Sequence, residues 1–146
     1  MSLSARDFFS KEETQQIVAA IAAAEKRTSG EIRLHVEDSC KIPVLKRAEE
    51  VFVKYGMHDT QEHNGVLFYL AVQTKDFAVA GDSGIHEKVS QAFWNDIHAL
   101  VLSHFKEKKF AEGLCKGIEL CGQQLEKYFP RKSDDKNELS DEISYS

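Results

Sequence analysis

The chain is short of positive charge. Lysine and arginine total 19 against 24 aspartates and glutamates, for a net charge of −5 at pH 7. Nucleic-acid binding needs a basic patch that displaces counterions, so no nucleic-acid partner is expected. Long apolar runs are also missing. None approaches the roughly 20 residues of a membrane helix, and the opening MSLSARDFFSKEE lacks the apolar stretch of a secretory signal. Both absences predict a cytoplasmic protein with no membrane segment. Cysteine is scarce: Cys40, Cys115 and Cys121 are odd in number and form no C-x-x-C pair, which argues against a disulfide framework or a zinc knuckle. Cys115 and Cys121 fall six apart, on different faces of a helix, and read as small hydrophobes. EF-hand spacing, a P-loop and G-x-S-x-G are all absent, as is any internal repeat.

What is present is an ordinary globular composition. The 146 residues are 42% apolar and 29% charged, which predicts one soluble, monomer-sized domain. Ser10 followed by Glu13 is a capping box opening a helix over 10–27, with Ile17, Ile21 and Ala24 on its apolar stripe. Ile32, Leu34 and Val36 alternate with Arg33, His35 and Glu37, the period of a strand with one face partly covered. Pro43 starts a second helix and Gly56 ends it. After the polar loop 57–65, VLFYLAV at 66–72 reads as a central strand buried on both faces. A three-residue turn then predicts an antiparallel strand over 76–81. Two helices follow, over about 85–106 and 109–128, and Pro130 ends the second. The polar, acidic residues 130–146 read as a loosely attached tail beyond a domain of 1–129. The order α-β-α-β-β-α-α predicts a small mixed sheet, its first two strands parallel through a right-handed crossover, in an α/β fold.

That topology gathers polar residues at one pole of the sheet. Glu31 and Asn64 stand at equivalent positions of parallel strands, and the hairpin returns Asp82 to the same end. The loop before the second strand adds His58, Asp59, Glu62 and His63. Converging carboxylate, amide and carbonyl oxygens suit calcium or magnesium. Asp82-Ser83-Gly84-Ile85-His86 resembles a phosphate nest at a helix start. The two together suit metal-assisted phosphoester hydrolysis. The same residue types also build ordinary turns, and Asp82 can serve simply as a helix cap. The opposite pole, with Glu37, Asp38, Gln73, Thr74 and Asp76, ranks second. His58 and His63 lack a third strong zinc ligand. His104 reads as a core histidine and His35 as a solvated one.

Four blocks carry a resemblance: T-S-G-E-I at 28–32, N-G-V-L-F-Y-L-A at 64–71, F-A-V-A-G-D-S-G-I at 77–85, and H-F-K-E-K-K-F-A-E-G-L-C-K-G-I at 104–118. Together they resemble the TPM domain family, over about residues 7–129, with Lys108 standing where a glycine is common. The likeness is strongest to free-standing bacterial TPM proteins with an acidic tail. It implies a three-layer α/β/α sandwich, Rossmann-like, with a small mixed sheet. It also implies binding of divalent cations, chiefly calcium, with magnesium or another divalent ion as the alternative. Plant members are associated with acid phosphatase activity and with repair of a photosynthetic complex. Asn64 and Gly65 match the family's Asn-Gly, Gly81, Asp82 and Gly84 its Gly-rich turn, and Glu31 a Glu of the close relatives. The resulting expectation is a cation held by Asp59 and Asp82, by the side-chain oxygen of Asn64, and by Glu31 or Glu62. The alternatives are a metal-dependent phosphatase-like hydrolase and a non-catalytic module for assembling or repairing larger complexes.

Overall fold

The capping box at the first helix forms as its residues dictate. In the computed structural model, which describes residues 4–131 and 142–146, Ser10 Oγ accepts the Glu13 amide at 3.1 Å and Glu13 accepts the Ser10 amide at 2.9 Å. This opens α1 (Lys11–Glu25), whose Ile17, Ile21 and Ala24 are buried. β1 (Glu31–Glu37) follows, then α2 (Val44–Lys54), capped by Pro43 and ended by Gly56 at φ 69°, the left-handed conformation that glycine adopts without strain. A 3-10 turn over Met57–Asp59 leads to β2 (Gly65–Ala71), every residue of which is buried. β3 (Asp76–Gly81) returns antiparallel, with Val66 opposite Gly81 and Ala71 opposite Asp76.

The helix expected over 85–106 is two helices. α3 (Ser83–His86) is capped by the Asp82 carboxylate, and α4 (Gln91–Phe105) starts after Ser90, whose extended backbone (φ −86°, ψ 171°) interrupts the helical path. Ser90 sits at the position serine favours before a helix. α5 (Phe110–Tyr128) completes the helical set. The segment read as a loose tail also differs at its far end: Ser144–Tyr145 form β4, parallel to β1, and Ile143 is buried in the core. Residues 132–141, the remainder of that tail, lie outside the described residues.

The sheet has the order β3-β2-β1-β4 with β1 and β2 parallel, Glu31 opposite Gly65 and Glu37 opposite Ala71. Alternation sends Ile32, Leu34, Val36, Phe68 and Leu70 to one face, beneath α1, α4 and α5, and Leu67, Tyr69, Ala78 and Ala80 to the other, beneath α2. The expected α/β/α sandwich is therefore present. Gly117 lets α5 approach α4: a Cβ there would collide with Val101 and press on Phe68 at 3.3 Å. Each large apolar side chain buried this completely contributes about 1.5–3 kcal/mol. Among the described residues no helix is long and apolar enough to cross a membrane.

The polar face of β1 is covered, contrary to the half-solvated reading. His35 is fully buried and Glu37 nearly so. The cover comes from α2, Tyr55 and β4: Arg47 Nε donates to Glu37 at 3.0 Å, the Tyr69 hydroxyl also donates to Glu37, and His35 Nδ1 and Nε2 each lie 2.7 Å from a serine hydroxyl, Ser144 and Ser146.

Candidate functional site

The pole chosen from topology is assembled by backbone pairing. The Glu31 amide reaches the Asn64 carbonyl at 3.4 Å, and the Asp82 amide donates to the Gly65 carbonyl at 3.0 Å. The hairpin thus brings position 82 alongside position 64. Gly84 locks the loop to this turn. Its amide donates to the His63 carbonyl at 2.9 Å, and a Cβ would strike the Glu62 carbonyl and approach the His63 carbonyl at 2.6 Å. Asparagine at 64 and glycine at 84 therefore set the mouth's shape as much as its chemistry.

Side chains then divide into a connected set and an outlier. Ser29 Oγ donates to Glu62 Oε2 at 2.6 Å and accepts from Asn64 Nδ2 at 3.2 Å, joining the segment before β1 to the loop before β2. Asn64 is buried, and its amide donates to Thr60 Oγ1 at 3.3 Å. Glu31 is buried at the start of β1. Asp82 Oδ1 accepts the Ser83 amide at 2.7 Å. Its Oδ2 is buried and accepts no hydrogen bond, although His63 Nδ1 stands 3.4 Å away. The two lie within ion-pair reach, but their geometry makes no hydrogen bond. Asp59 is the outlier. Its carboxylate is 75% exposed and pairs with His58 at 3.4 Å on its own 3-10 turn. Among the described residues no three His, Cys, Asp or Glu side chains form a group able to hold a metal ion; the connected donors at this pole include an amide and a hydroxyl.

The expected phosphate nest is filled by the chain itself. The Ser83 amide goes to Asp82 Oδ1, the Gly84 amide to His63, and the Ile85 and His86 amides to the Asp82 carbonyl at 3.1 and 3.3 Å. No backbone amide of this turn is left for an anion, and α3 is a single turn.

Ser29 was not among the residues expected to line the site. The signal was local: it stands in the T-S-G-E block immediately before β1. Thr28 and Ser29 also tie the mouth to the end of α5, the Thr28 hydroxyl and the Ser29 amide (2.9 Å) both donating to the Phe129 carbonyl. The rival pole holds the stronger electrostatic network. Burial raises the Glu37 carboxyl, but hydrogen bonds from Arg47, Tyr69 and Ser146 reverse this and hold it at about 2. Burial, partly offset by Glu37 and reinforced by Arg47, lowers His35 to about 4. Burial and the bond to Glu37 raise Tyr69. These groups are engaged with one another and with β4.

Fold and site together define an α/β/α sandwich domain whose polar mouth is built from the N-terminal ends of two parallel strands and a returning hairpin. The chain belongs to the TPM domain family, whose model matches residues 4–124. It is similar to the BA42 protein of the psychrophilic bacterium Bizionia argentinensis, with 46% identity, a TM-score of 0.91, and coverage of 96% of this chain and 97% of that one. The N-terminal domain of a protein from P. gingivalis shares the fold at 18% identity and a TM-score of 0.69, over 84% of this chain and 80% of that one. The N-terminal domain of the cg2496 protein of Corynebacterium glutamicum does so at 12% identity and 0.66, over 93% and 80%. No curated protein matches the chain.

Proposed function

We propose that this TPM-domain chain binds a divalent cation, calcium in first place, at the mouth around Asp82 and Asn64. The observation that carries the reading is the second carboxylate oxygen of Asp82, buried and without a hydrogen bond beside the Asn64-Gly65 backbone. A buried charged oxygen left in that state is costly, and a cation relieves it. Asp82 Oδ2 would be the anchoring donor. Asn64 would offer its side-chain oxygen, its Nδ2 being already committed to Ser29. Glu62 lies on the solvent side of the same loop, and Glu31 lies inside. Asp59 would join only if its turn closed over the mouth. Oxygen donors of mixed charge favour a hard ion with flexible coordination, which ranks calcium above zinc and leaves magnesium as the alternative.

The reading stops at binding. A phosphoester substrate needs donors for its oxyanion, and the amides of the 82–86 turn are already engaged. No hydrolytic step is therefore assigned to this mouth.

Thermal unfolding in increasing calcium tests the proposal. Calcium at about 100 times its dissociation constant adds about 2.7 kcal/mol of stability, a rise of roughly 5–10 °C for a chain of this size. Asp82→Asn keeps an oxygen to cap Ser83 but removes the charge, and the rise should disappear. An equal rise in the variant, or none in the parent chain, rejects the site.

A further inference from the structure

The outer edge of β1 carries a second site, at the other end of the strand from the mouth and independent of the cation reading. Seven residues of β1 pair with β2, but only His35 and Val36 pair with β4. The backbone groups of Ile32, Leu34 and Val36 face this edge. Three partners meet them: the Glu25 carboxylate accepts the Ile32 amide at 2.8 Å, Ser144 Oγ lies 3.5 Å from the Leu34 carbonyl, and the Ser146 amide donates to the Val36 carbonyl at 3.1 Å. Two of the three belong to the strap 142–146.

The strap's side chains alternate between two environments. Ser144 and Ser146 face His35 and Glu37. Ser146 gives its one hydroxyl proton to Glu37 Oε1 at 2.7 Å, so it accepts from His35 Nε2–H, while His35 Nδ1 is directed at Ser144. Ile143 and Tyr145 face α1, where the Arg6 guanidinium sits 4.9 Å over the Tyr145 ring. Beside them runs a groove of about 470 Å³, with Val18, Ala19 and Ala22 of α1 as one wall and Ile143 and Tyr145 as the other. This is the anatomy of recognition by strand addition, in which backbone bonds hold the peptide and alternate side chains select it.

We propose that the β1 edge is a peptide-binding site: it accepts an extended segment running parallel to β1, with serine or threonine facing His35 and Glu37 and apolar or aromatic residues facing α1. Segment 142–146 is its resident occupant and a competitor for it. The cis segment holds the site at an effective concentration on the order of millimolar, so a partner strand with larger apolar side chains in the groove displaces it. The seated contact is short, two ladder residues, one buried isoleucine, the Arg6–Tyr145 contact and the two serine hydroxyls on His35 and Glu37, which places the strap among the elements that open without global unfolding.

The test uses a fluorescent peptide with the sequence of residues 139–146. It should bind a chain lacking residues 142–146 saturably, and bind the intact chain about tenfold or more weakly because the cis strap competes. Replacing the peptide's serines at positions 144 and 146 by alanine should weaken binding about tenfold or more, since both hydroxyls contact His35 or Glu37. A folded truncated chain that ignores the peptide, or takes the alanine version equally well, overturns the proposal. Where the truncated chain does not fold, hydrogen exchange of the intact chain decides. Excess peptide should speed exchange at the Ser146 amide while β2 amides stay unchanged. Exchange at Ser146 that is unmoved by peptide and as slow as that of β2 overturns the proposal equally.

Discussion

Acid should weaken this protein in a window fixed by His35. The imidazole is fully buried beneath β4, and its pKa lies at about 4 instead of 6.5. Burial dominates, Glu37 opposes it, and Arg47, Lys54 and Arg33 add to it. Because the unfolded chain takes up this proton first, stability is complete above pH 6.5 and is lost as pH falls toward 4. The difference amounts to about 3 kcal/mol at 1.36 kcal/mol per pH unit, or roughly 6–12 °C in melting temperature. Release of the strap returns His35 to water, so the loss is capped by the free energy of seating residues 142–146. Glu37, at about 2, adds its own loss only further down, as pH falls from its ordinary value near 4.5 toward 2. Urea unfolding at pH 7, 6, 5 and 4, on the parent and on His35→Gln, isolates the effect. The variant should start less stable at pH 7, and the gap should close as pH falls to 4. Parallel stability curves for the two proteins would refute the argument, since the loss would then come from other groups.

Two further perturbations probe the fold. Gly117→Val places a branched side chain against Val101 and Phe68, and should cost about 1–3 kcal/mol by overpacking the α4–α5 contact, read as a lower urea midpoint at unchanged slope. Ser10→Ala removes the acceptor of the Glu13 amide at 3.1 Å and should cost about 1 kcal/mol. Ser10→Asp should restore most of that in the same measurement.

The parts of the fold that were legible are those written in neighbouring residues. The Ser10–Glu13 box, the seven-residue apolar run of β2 and the three-residue turn before β3 each carry their structure within a few positions, and the parallel pairing of β1 and β2 follows from the helix between them. Asp82 could be placed beside Gly65 for the same reason. The burial of His35 is not legible locally, because its cover comes from Ser144 and Ser146, more than 100 residues away, and nothing in the alternation of Arg33, His35 and Glu37 announces that partner. The break between α3 and α4 was hidden because Val89 and Phe93 continue the apolar spacing across Ser90. The nest was overestimated for a different reason: composition reveals amides near a helix start, whereas their occupancy by Asp82 and His63 depends on how the loop folds back. Ser29 lay within a quoted motif, but only the three-dimensional contact with Glu62 and Asn64 gives it a role.

An NMR titration with calcium tests the cation mouth most directly. Saturable shifts should concentrate at Ser29, Glu62–Gly65 and Asp82, abolished by Asp82→Asn, with β4 unaffected. Shifts confined to other carboxylates, or a titration that survives the loss of the Asp82 charge, would contradict it.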